Sequence, residues 1–167
     1  MPKKEIRILG LSIAKTKFGL LVTGVVFRGN LWLDGVVCGL IKTHTQDRIN
    51  RISSIIKESK QFSQLHAVIL TNTESISDRE LDQLAEAAKI PVMALTNKRP
   101  VKKLRHKVRS FDLQVNGTRM SVLAASIEKE EAKEILGIGS KPGGKTPEAT
   151  RIADLVMKEM NFTSFRL

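Results

Sequence analysis

Residues 6–42 read IRILGLSIAKTKFGLLVTGVVFRGNLWLDGVVCGLIK. Three runs rich in Val, Ile, Leu and Gly lie within this stretch, at residues 6–13, 18–28 and 31–42. Only Gly29 and Asn30 separate the second run from the third, which is the signal of a two-residue hairpin. Because short connections join antiparallel strands, the stretch predicts a three-stranded antiparallel meander.

Beyond the meander, strand patterns alternate with helix patterns. Isoleucines at helical spacing predict the first helix, a capping box at Ser77–Glu80 opens the second, and Asn116-Gly117 predicts a hairpin. The predicted elements are a helix over residues 46–60, a strand over 66–71, a helix from 78 with Leu81, Leu84, Ala85 and Ala88 inward, a strand over 90–95, hairpin strands over 111–115 and 118–125, a helix over 128–136, and a last helix capped by Thr146.

This order predicts an α/β fold. Strand–helix–strand units imply parallel pairing, whereas the opening meander is antiparallel, so a mixed sheet flanked by helices fits both. The same order of elements is the connectivity of the ribonuclease H-like fold. No linker divides the chain, so we expect a single domain over residues 1–167.

The composition favours a polyanionic partner. The 28 Lys and Arg against 17 Asp and Glu leave a formal charge of +11, which points to nucleic acid. Aromatic residues are 4% of the chain, so recognition by many stacking platforms is not expected. No apolar run is long enough for a membrane span, and the lone Cys38 fits the reducing cytoplasm. We expect Cys38 to pack in the core and not to act as a nucleophile, and Trp32 to pack against its neighbours, with base stacking as the alternative.

Several segments resemble a known family. They are Gly24–Gly29 (GVVFRG), Trp32–Val36 (WLDGV), Ile90–Val92 with Lys98 and Pro100, Val115–Gly117, and Pro147-Glu148 with Arg151 and Ala153. Together they resemble the archaeal endonuclease dU family, long described as a domain of unknown function and distantly related to endonuclease V. The resemblance runs along nearly the whole chain. It implies a ribonuclease H-like fold and metal-dependent cleavage of DNA at a modified base.

The sequence departs from this family where catalysis would occur. The family's first strand ends in an acidic pair, whose positions here hold Ser12 and Ile13. A later aspartate falls on Thr71, and a histidine of the last helix falls on Asp154. Two-metal cleavage needs several converging carboxylates, and hydroxyl groups are weak ligands for hard cations. The replacements therefore predict a degenerate member with impaired catalysis.

Three acidic residues are the weak candidates for a remaining metal site. They are Asp34, Glu74 and Asp154, which would hold Mg²⁺ or Mn²⁺ if the protein is an active endonuclease on deaminated DNA. Asp34 is also the only candidate catalytic residue. The simpler interpretation makes Asp34 a structural hydrogen-bond acceptor and pairs Asp154 locally with Arg151. A third hypothesis is a non-catalytic scaffold for protein interactions.

A basic segment gives the positive charge a location. Between Asn97 and Arg109 there are seven basic residues and no acidic residue. Such density favours phosphate binding over a merely solvated loop, and the predicted contacts also include two residues near the last helix. The predicted nucleic-acid-binding residues are Lys98, Arg99, Lys102, Lys103, Arg105, Lys107, Arg109, Lys145 and Arg151.

Residues Gly139–Thr146 match the phosphate-loop pattern G-x-x-x-x-G-K-[ST]. A nucleotide-binding loop of that type follows a buried strand, whereas this segment follows a helix pattern. ATP or GTP binding is therefore not expected. A lysine-bearing loop before a helix suits a nucleic-acid phosphate better.

Overall fold

The computed structural model describes residues 5–42, 47–71, 76–97 and 107–164, with side chains through Met160. None of the helices in these ranges is long and apolar enough to cross a membrane. A short 3₁₀ turn, Phe62–Gln64, precedes the fourth strand. The strands and helices are β1 (Arg7–Thr16), β2 (Gly19–Arg28), β3 (Trp32–Ile41), α1 (Arg48–Lys57), β4 (Leu65–Leu70), α2 (Asp78–Ala88), β5 (Val92–Thr96), β6 (Val108–Val115), β7 (Thr118–Ala125), α3 (Lys129–Gly139) and α4 (Glu148–Ser164).

The strands form one mixed sheet in the order β3-β2-β1-β4-β5-β7-β6. The strands β1, β2 and β3 pair antiparallel, which confirms the predicted meander. The strands β4 and β5 add in parallel to β1, as strand–helix–strand units require. The hairpin of β6 and β7 then extends the sheet antiparallel to β5. The predicted mixed α/β architecture is therefore confirmed.

Helices cover both faces of the sheet because successive strand residues point to opposite sides. Leu9, Leu11 and Ile13 of β1 join a core cluster with buried residues of α1 and α2. Ile8 joins a second cluster with residues of α3 and α4. Since β1 lies in the middle of the sheet, its side chains anchor both cores.

Gly10 lets α4 approach the sheet closely. A Cβ atom at this position would lie 2.1 Å from the carbonyl carbon of Ala149 and 2.4 Å from the backbone nitrogen of Thr150. Any larger residue would therefore push α4 away from β1. This contact fixes where the following turn of α4 meets the ends of the central strands.

The cap signal at Ser77 and the turn signal at Asn116-Gly117 are borne out, whereas three residues, 29–31, and not two connect β2 to β3. Ser77 caps α2, accepting a hydrogen bond from the Glu80 nitrogen, and the four predicted core residues of this helix are buried. Asn116 and Gly117 have φ angles of 48° and 81°, as a tight hairpin turn requires. Several boundaries differ from the prediction; for example, α1 spans Arg48–Lys57 and not 46–60, and β6 begins at Val108 and not at 111. Helix α3 continues to Gly139, and α4 begins at Glu148, two residues after Thr146.

The predicted packing of Trp32 and Cys38 is wrong. Trp32 is 67% exposed and Cys38 is also exposed. Both residues belong to β3, which lies at one edge of the sheet. Helix α4 packs mainly on β1 and β2, so it leaves uncovered the face of β3 that carries Cys38. Trp32 pairs with Arg28 beyond the register shift at Val26 and Phe27, at the start of this edge strand.

Candidate functional site

Four polar residues meet where α4 crosses the central strands: Ser12, Thr23, Thr71 and Asp154. We call this group the crossing site. Leu11 pairs with Leu70 across β1 and β4, so Ser12 lies next to Thr71, the residue that follows the end of β4. Thr23 pairs with Ser12 across β1 and β2. Ser12 and Thr71, two of the positions that the resemblance names, therefore lie side by side, and Thr71 contacts Asp154.

The hydrogen bonds of this site hold the helix against the strands. Thr71 Oγ1 lies 3.0 Å from Asp154 Oδ1 and 2.8 Å from Oδ2, and donates to this carboxylate. Thr23 Oγ1 donates to the carbonyl oxygen of Ala153 at 3.3 Å, in a buried position. The sequence analysis missed Thr23. The hairpin register could have found it, because it places Thr23 opposite Ser12.

Ile13 does not contribute to this site. Its side chain is 1% exposed and belongs to the core shared with α1 and α2. Ser12, one position earlier, is on the face of α4. Of the two positions that hold acids in the family resemblance, only one therefore faces Asp154.

The described residues do not fit a two-metal centre. Such a centre needs several carboxylates around ions about 3.5–4 Å apart. Within residues 5–42, 47–71, 76–97 and 107–164, no three His, Cys, Asp or Glu side chains are close enough to hold one ion. Asp154 is the carboxylate of the crossing site, and Thr71 already occupies its oxygens. Candidate Glu74 lies outside the described residues.

Asp34, a residue of β3, lies away from the crossing site, beside the first residue of β1. Its Oδ2 accepts from Arg7 Nε at 2.8 Å, and its Oδ1 accepts from Arg28 Nη2 at 3.1 Å. Gln61 donates to its backbone carbonyl at 2.9 Å. Arg7 precedes Ser12 by five residues, about 16 Å along a strand, so the structure does not bring Asp34 to Asp154.

The ion pairs of Asp34 favour the charged form of its carboxyl group. Burial is the largest single influence and favours the neutral acid, but the hydrogen bonds and charges of Arg28 and Arg7 together outweigh it. The pKa of the Asp34 carboxyl therefore lies below its usual value. This carboxylate stabilises the meander, in agreement with the structural interpretation of Asp34.

Arg151 pairs with Glu148 and not with Asp154. Its Nε and Nη2 donate to the two Glu148 oxygens at 2.9 and 2.8 Å. The predicted local pair between Arg151 and Asp154 is therefore wrong, because Thr71 takes that carboxylate instead. The Arg151 hydrogen bonds, with the nearby charges of Arg151 and Lys141, hold the pKa of the mostly buried Glu148 below its usual value, against the effect of burial.

Most of the basic segment lies outside the described residues: Lys98, Arg99, Lys102, Lys103 and Arg105. Lys107 is exposed just before β6. Arg109 is exposed but donates to Glu128 at 2.6 Å. Lys145 is exposed on the loop before α4, and Arg151 is half-exposed beside Glu148. Two of the predicted phosphate-binding residues, Arg109 and Arg151, are therefore paired with acidic residues.

The glycine-rich loop is fixed by contacts within the chain. The side-chain amides of Asn30 and Asn116 both donate to the Ser140 carbonyl, at 3.0 and 3.3 Å. The loop follows helix α3, so the strand that precedes a nucleotide-binding phosphate loop is replaced here by a helix.

Comparison with known proteins gives a consistent result. The sequence matches the family described as endonuclease dU over residues 4–124. A UPF0215 protein of Methanothermobacter thermautotrophicus is 27% identical, over 92% of this chain and 87% of its own.

Two solved structures share the fold of the chain. A protein of unknown function from Archaeoglobus fulgidus has a TM-score of 0.73 at 18% identity, covering 93% of this chain and 98% of its own. Endonuclease V of Bacillus subtilis has a TM-score of 0.66 at 12% identity, covering 96% and 83%. At these identities the likeness is one of fold, and it confirms the predicted ribonuclease H-like architecture.

Proposed function

The chain belongs to the endonuclease dU family, and from that premise we propose that it binds nucleic acid on an endonuclease V-like scaffold while its catalysis is impaired. The observation that carries the proposal is the crossing site. There a single described carboxylate, Asp154, receives a hydrogen bond from Thr71 and lies beside Ser12.

Impaired catalysis is supported by the chemistry of these side chains. A hydroxyl group carries no negative charge to offset a divalent cation, so Ser12 and Thr71 are poor replacements for carboxylates. A water molecule attacking a phosphodiester needs a metal or a strong base to activate it. We expect the crossing site to provide neither at a useful rate.

Binding is supported by charge. The chain carries +11 overall, and seven basic residues lie between Asn97 and Arg109. Lysine and arginine contacts to phosphates release counterions, which gives affinity without sequence specificity. We propose that this segment, with Lys145 and Arg151, contacts the nucleic-acid backbone in the cytoplasm.

The binding test compares two variants of equal charge. Changing Lys102, Lys103, Arg105 and Lys107 to Glu takes the net charge from +11 to 11 − 8 = +3. The control also reaches +3, because it changes to Glu four basic residues from other parts of the chain: Lys57, Lys60, Arg79 and Lys158. We expect the first variant to lose at least about tenfold in affinity for labelled DNA and RNA, with a flatter salt dependence, and more than the control loses. Equal losses would reject the segment as a binding site.

The cleavage test uses DNA containing uracil or inosine with Mg²⁺ or Mn²⁺. We expect no metal-dependent cleavage above the level of a buffer control, because Asp154 is the single described carboxylate of the crossing site and such ions need several. Cleavage that disappears in Asp154→Asn but persists in Asp34→Asn would overturn the proposal. It would instead favour an active endonuclease in which Glu74 joins Asp154.

The third hypothesis, a scaffold for protein interactions, predicts a different result. A protein of that kind would fail to bind DNA or RNA at any salt concentration. The salt titration of the unmodified chain therefore separates a nucleic-acid-binding protein from an interaction scaffold.

A further inference from the structure

The two edges of the sheet differ in their protection against pairing. An edge strand presents unpaired backbone N–H and C=O groups, and proteins usually shield such strands with charges or proline. The edge strand β6 carries the exposed residues Arg109 and Asp112, which pair with Glu128 and Arg119. The opposite edge strand, β3, has no charged residue and no proline between Gly35 and Ile41.

The side of β3 that faces the α4 layer is apolar and exposed. Val36 is 53% exposed and Leu40 is 45% exposed, with exposed Cys38 between them. Alternate residues turn inward, since Val37 and Ile41 pack on the core shared with α1 and α2. The register of β2 with β3 is regular over this part of the strand, beyond the irregularity at Val26 and Phe27. The strand is therefore ready to accept a neighbour.

Helix α1 lies beside this edge and carries opposite charges two turns apart. Arg51, Ser54 and Glu58 are exposed and line a groove with residues 38–42. Residues seven apart lie on one face of a helix, about 10.5 Å apart along the axis. The midpoint between Arg51 and Glu58 is next to Ile55, whose Cδ1 would lie 2.6 Å from a Cβ atom on Gly39.

This arrangement is self-complementary under a two-fold rotation. An axis near Gly39 brings residues 37–41 against the same residues of a second copy in antiparallel order. The same rotation places Arg51 of each copy opposite Glu58 of the other. Two chains of charge +11 repel one another. They therefore approach best where the edge strand is uncharged and the flanking residues of the two copies have opposite charges.

We propose that this protein forms a two-fold symmetric dimer in which β3 pairs with β3 of a second copy around Gly39. The sheets join edge to edge, and Cys38 of each copy lies opposite Leu40 of the other. The exposed apolar side chains then become cross-strand pairs. The crossing sites of both copies lie on one face of the joined sheet, because the axis is perpendicular to it.

The first test measures the mass of the full chain in solution by sedimentation equilibrium. We expect a dimer that dissociates at least about tenfold more readily in Leu40→Lys, because a charge then enters the joined edge. Gln114→Lys places the same charge on the exposed face of β6 and leaves the dimer unchanged. A monomeric unmodified chain at all concentrations would overturn the proposal, as would equal effects of the two variants.

The charge-swap test distinguishes a symmetric partner from any other. We expect Arg51→Glu and Glu58→Arg each to weaken the dimer, because each places like charges opposite one another. The double variant, which restores both opposite pairs, recovers dimerisation. Single variants without effect, or a double variant as weak as the singles, would contradict the proposed axis.

The chain's single cysteine reports the register directly. In the proposed pairing the two Cys38 residues are diagonal neighbours about 7–8 Å apart, within reach of a short thiol cross-linker. We expect efficient cross-linking of the unmodified chain into a dimer, and none in Cys38→Ser. The control is the double variant Cys38→Ser with Gln114→Cys, whose single cysteine lies on β6. If the unmodified chain cross-links no better than this control, pairing at Gly39 is contradicted.

Discussion

Individual polar residues separate two regions of this protein with different roles. At the start of β1, Asp34 pairs with Arg7 and Arg28 and holds the meander together. Further along the same strand, Ser12 lies beside Thr71 and Asp154. Both regions contain an aspartate, but only the neighbours of each aspartate reveal its role. Charge pairing explains Asp34, whereas Asp154 accepts a hydrogen bond from a hydroxyl.

A prediction at the residue scale concerns Asp34→Asn. Its folded pKa lies below the unfolded value, so the carboxylate stabilises the fold above about pH 4, and this stabilisation declines as the pH falls through the folded pKa. Removing the charge leaves Arg7 and Arg28 partly unpaired. We expect the free energy of unfolding to fall by about 1–3 kcal/mol at pH 7, and the difference from the unmodified chain to shrink as the pH falls below about 4. Denaturant unfolding at several pH values measures this.

Asp112→Asn provides the comparison for that experiment. Asp112 also accepts a hydrogen bond from an arginine, Arg119, but its side chain is 59% exposed where that of Asp34 is 13% exposed. Exposed ion pairs contribute roughly 0–1 kcal/mol, so we expect a smaller loss of stability. If the two variants lose the same stability at pH 7, partial burial does not strengthen the Asp34 cluster.

At the scale of elements, the close packing of α4 on β1 determines the geometry of the crossing site. Gly10 allows the helix backbone to touch the strand, and Thr23 fixes the next turn through the Ala153 carbonyl. Asp154 follows directly in sequence, so its position depends on both contacts. The site is therefore a product of how one helix packs on two strands.

Gly10→Ala tests this dependence. The added methyl group would lie within 2.4 Å of three backbone atoms of Ala149 and Thr150, so α4 must shift. We expect a loss of about 1–3 kcal/mol or more in the free energy of unfolding, with weaker protection of the Asp154 amide from hydrogen exchange.

Gly137→Ala is the matched control, because the nearest atom to its added Cβ is 4.0 Å away. This residue lies within α3, where alanine favours the helix by about 0.5–1 kcal/mol. We therefore expect the control to gain stability while Gly10→Ala loses it. Similar stabilities for the two variants would mean that α4 does not depend on close contact at Gly10.

At the scale of the whole molecule, the two proposed interactions depend on different features of the chain. The excess of basic residues favours a polyanion, and the uncharged edge at β3 favours another strand. These two preferences are compatible because they involve separate parts of the chain. A nucleic-acid-binding protein can therefore self-associate despite a charge of +11.

Local signals explain why much of the fold was predictable. The hairpin at Asn116-Gly117 and the cap at Ser77 depend on residues close in sequence, and both were predicted correctly. The burial of Trp32 and Cys38 was not, because a strand pattern does not reveal which strand lies at an edge. That depends on the order in which the strands pair, and for Cys38 also on how far α4 extends across the sheet.

The sequence by itself determined the order of strands and helices, the mixed sheet and the positive charge, since these follow from periodicity, turn chemistry and composition. Its motifs carried the resemblance to the family. Only the tertiary structure decided which polar residues meet. It directed Ser12 toward α4 and Ile13 into the core, gave Asp154 to Thr71, and paired Asp34 with Arg7, which lies about 16 Å from Ser12 along β1. The physical reason is that these contacts join residues distant in sequence, such as Thr71 and Asp154, through the packing of one helix across neighbouring strands.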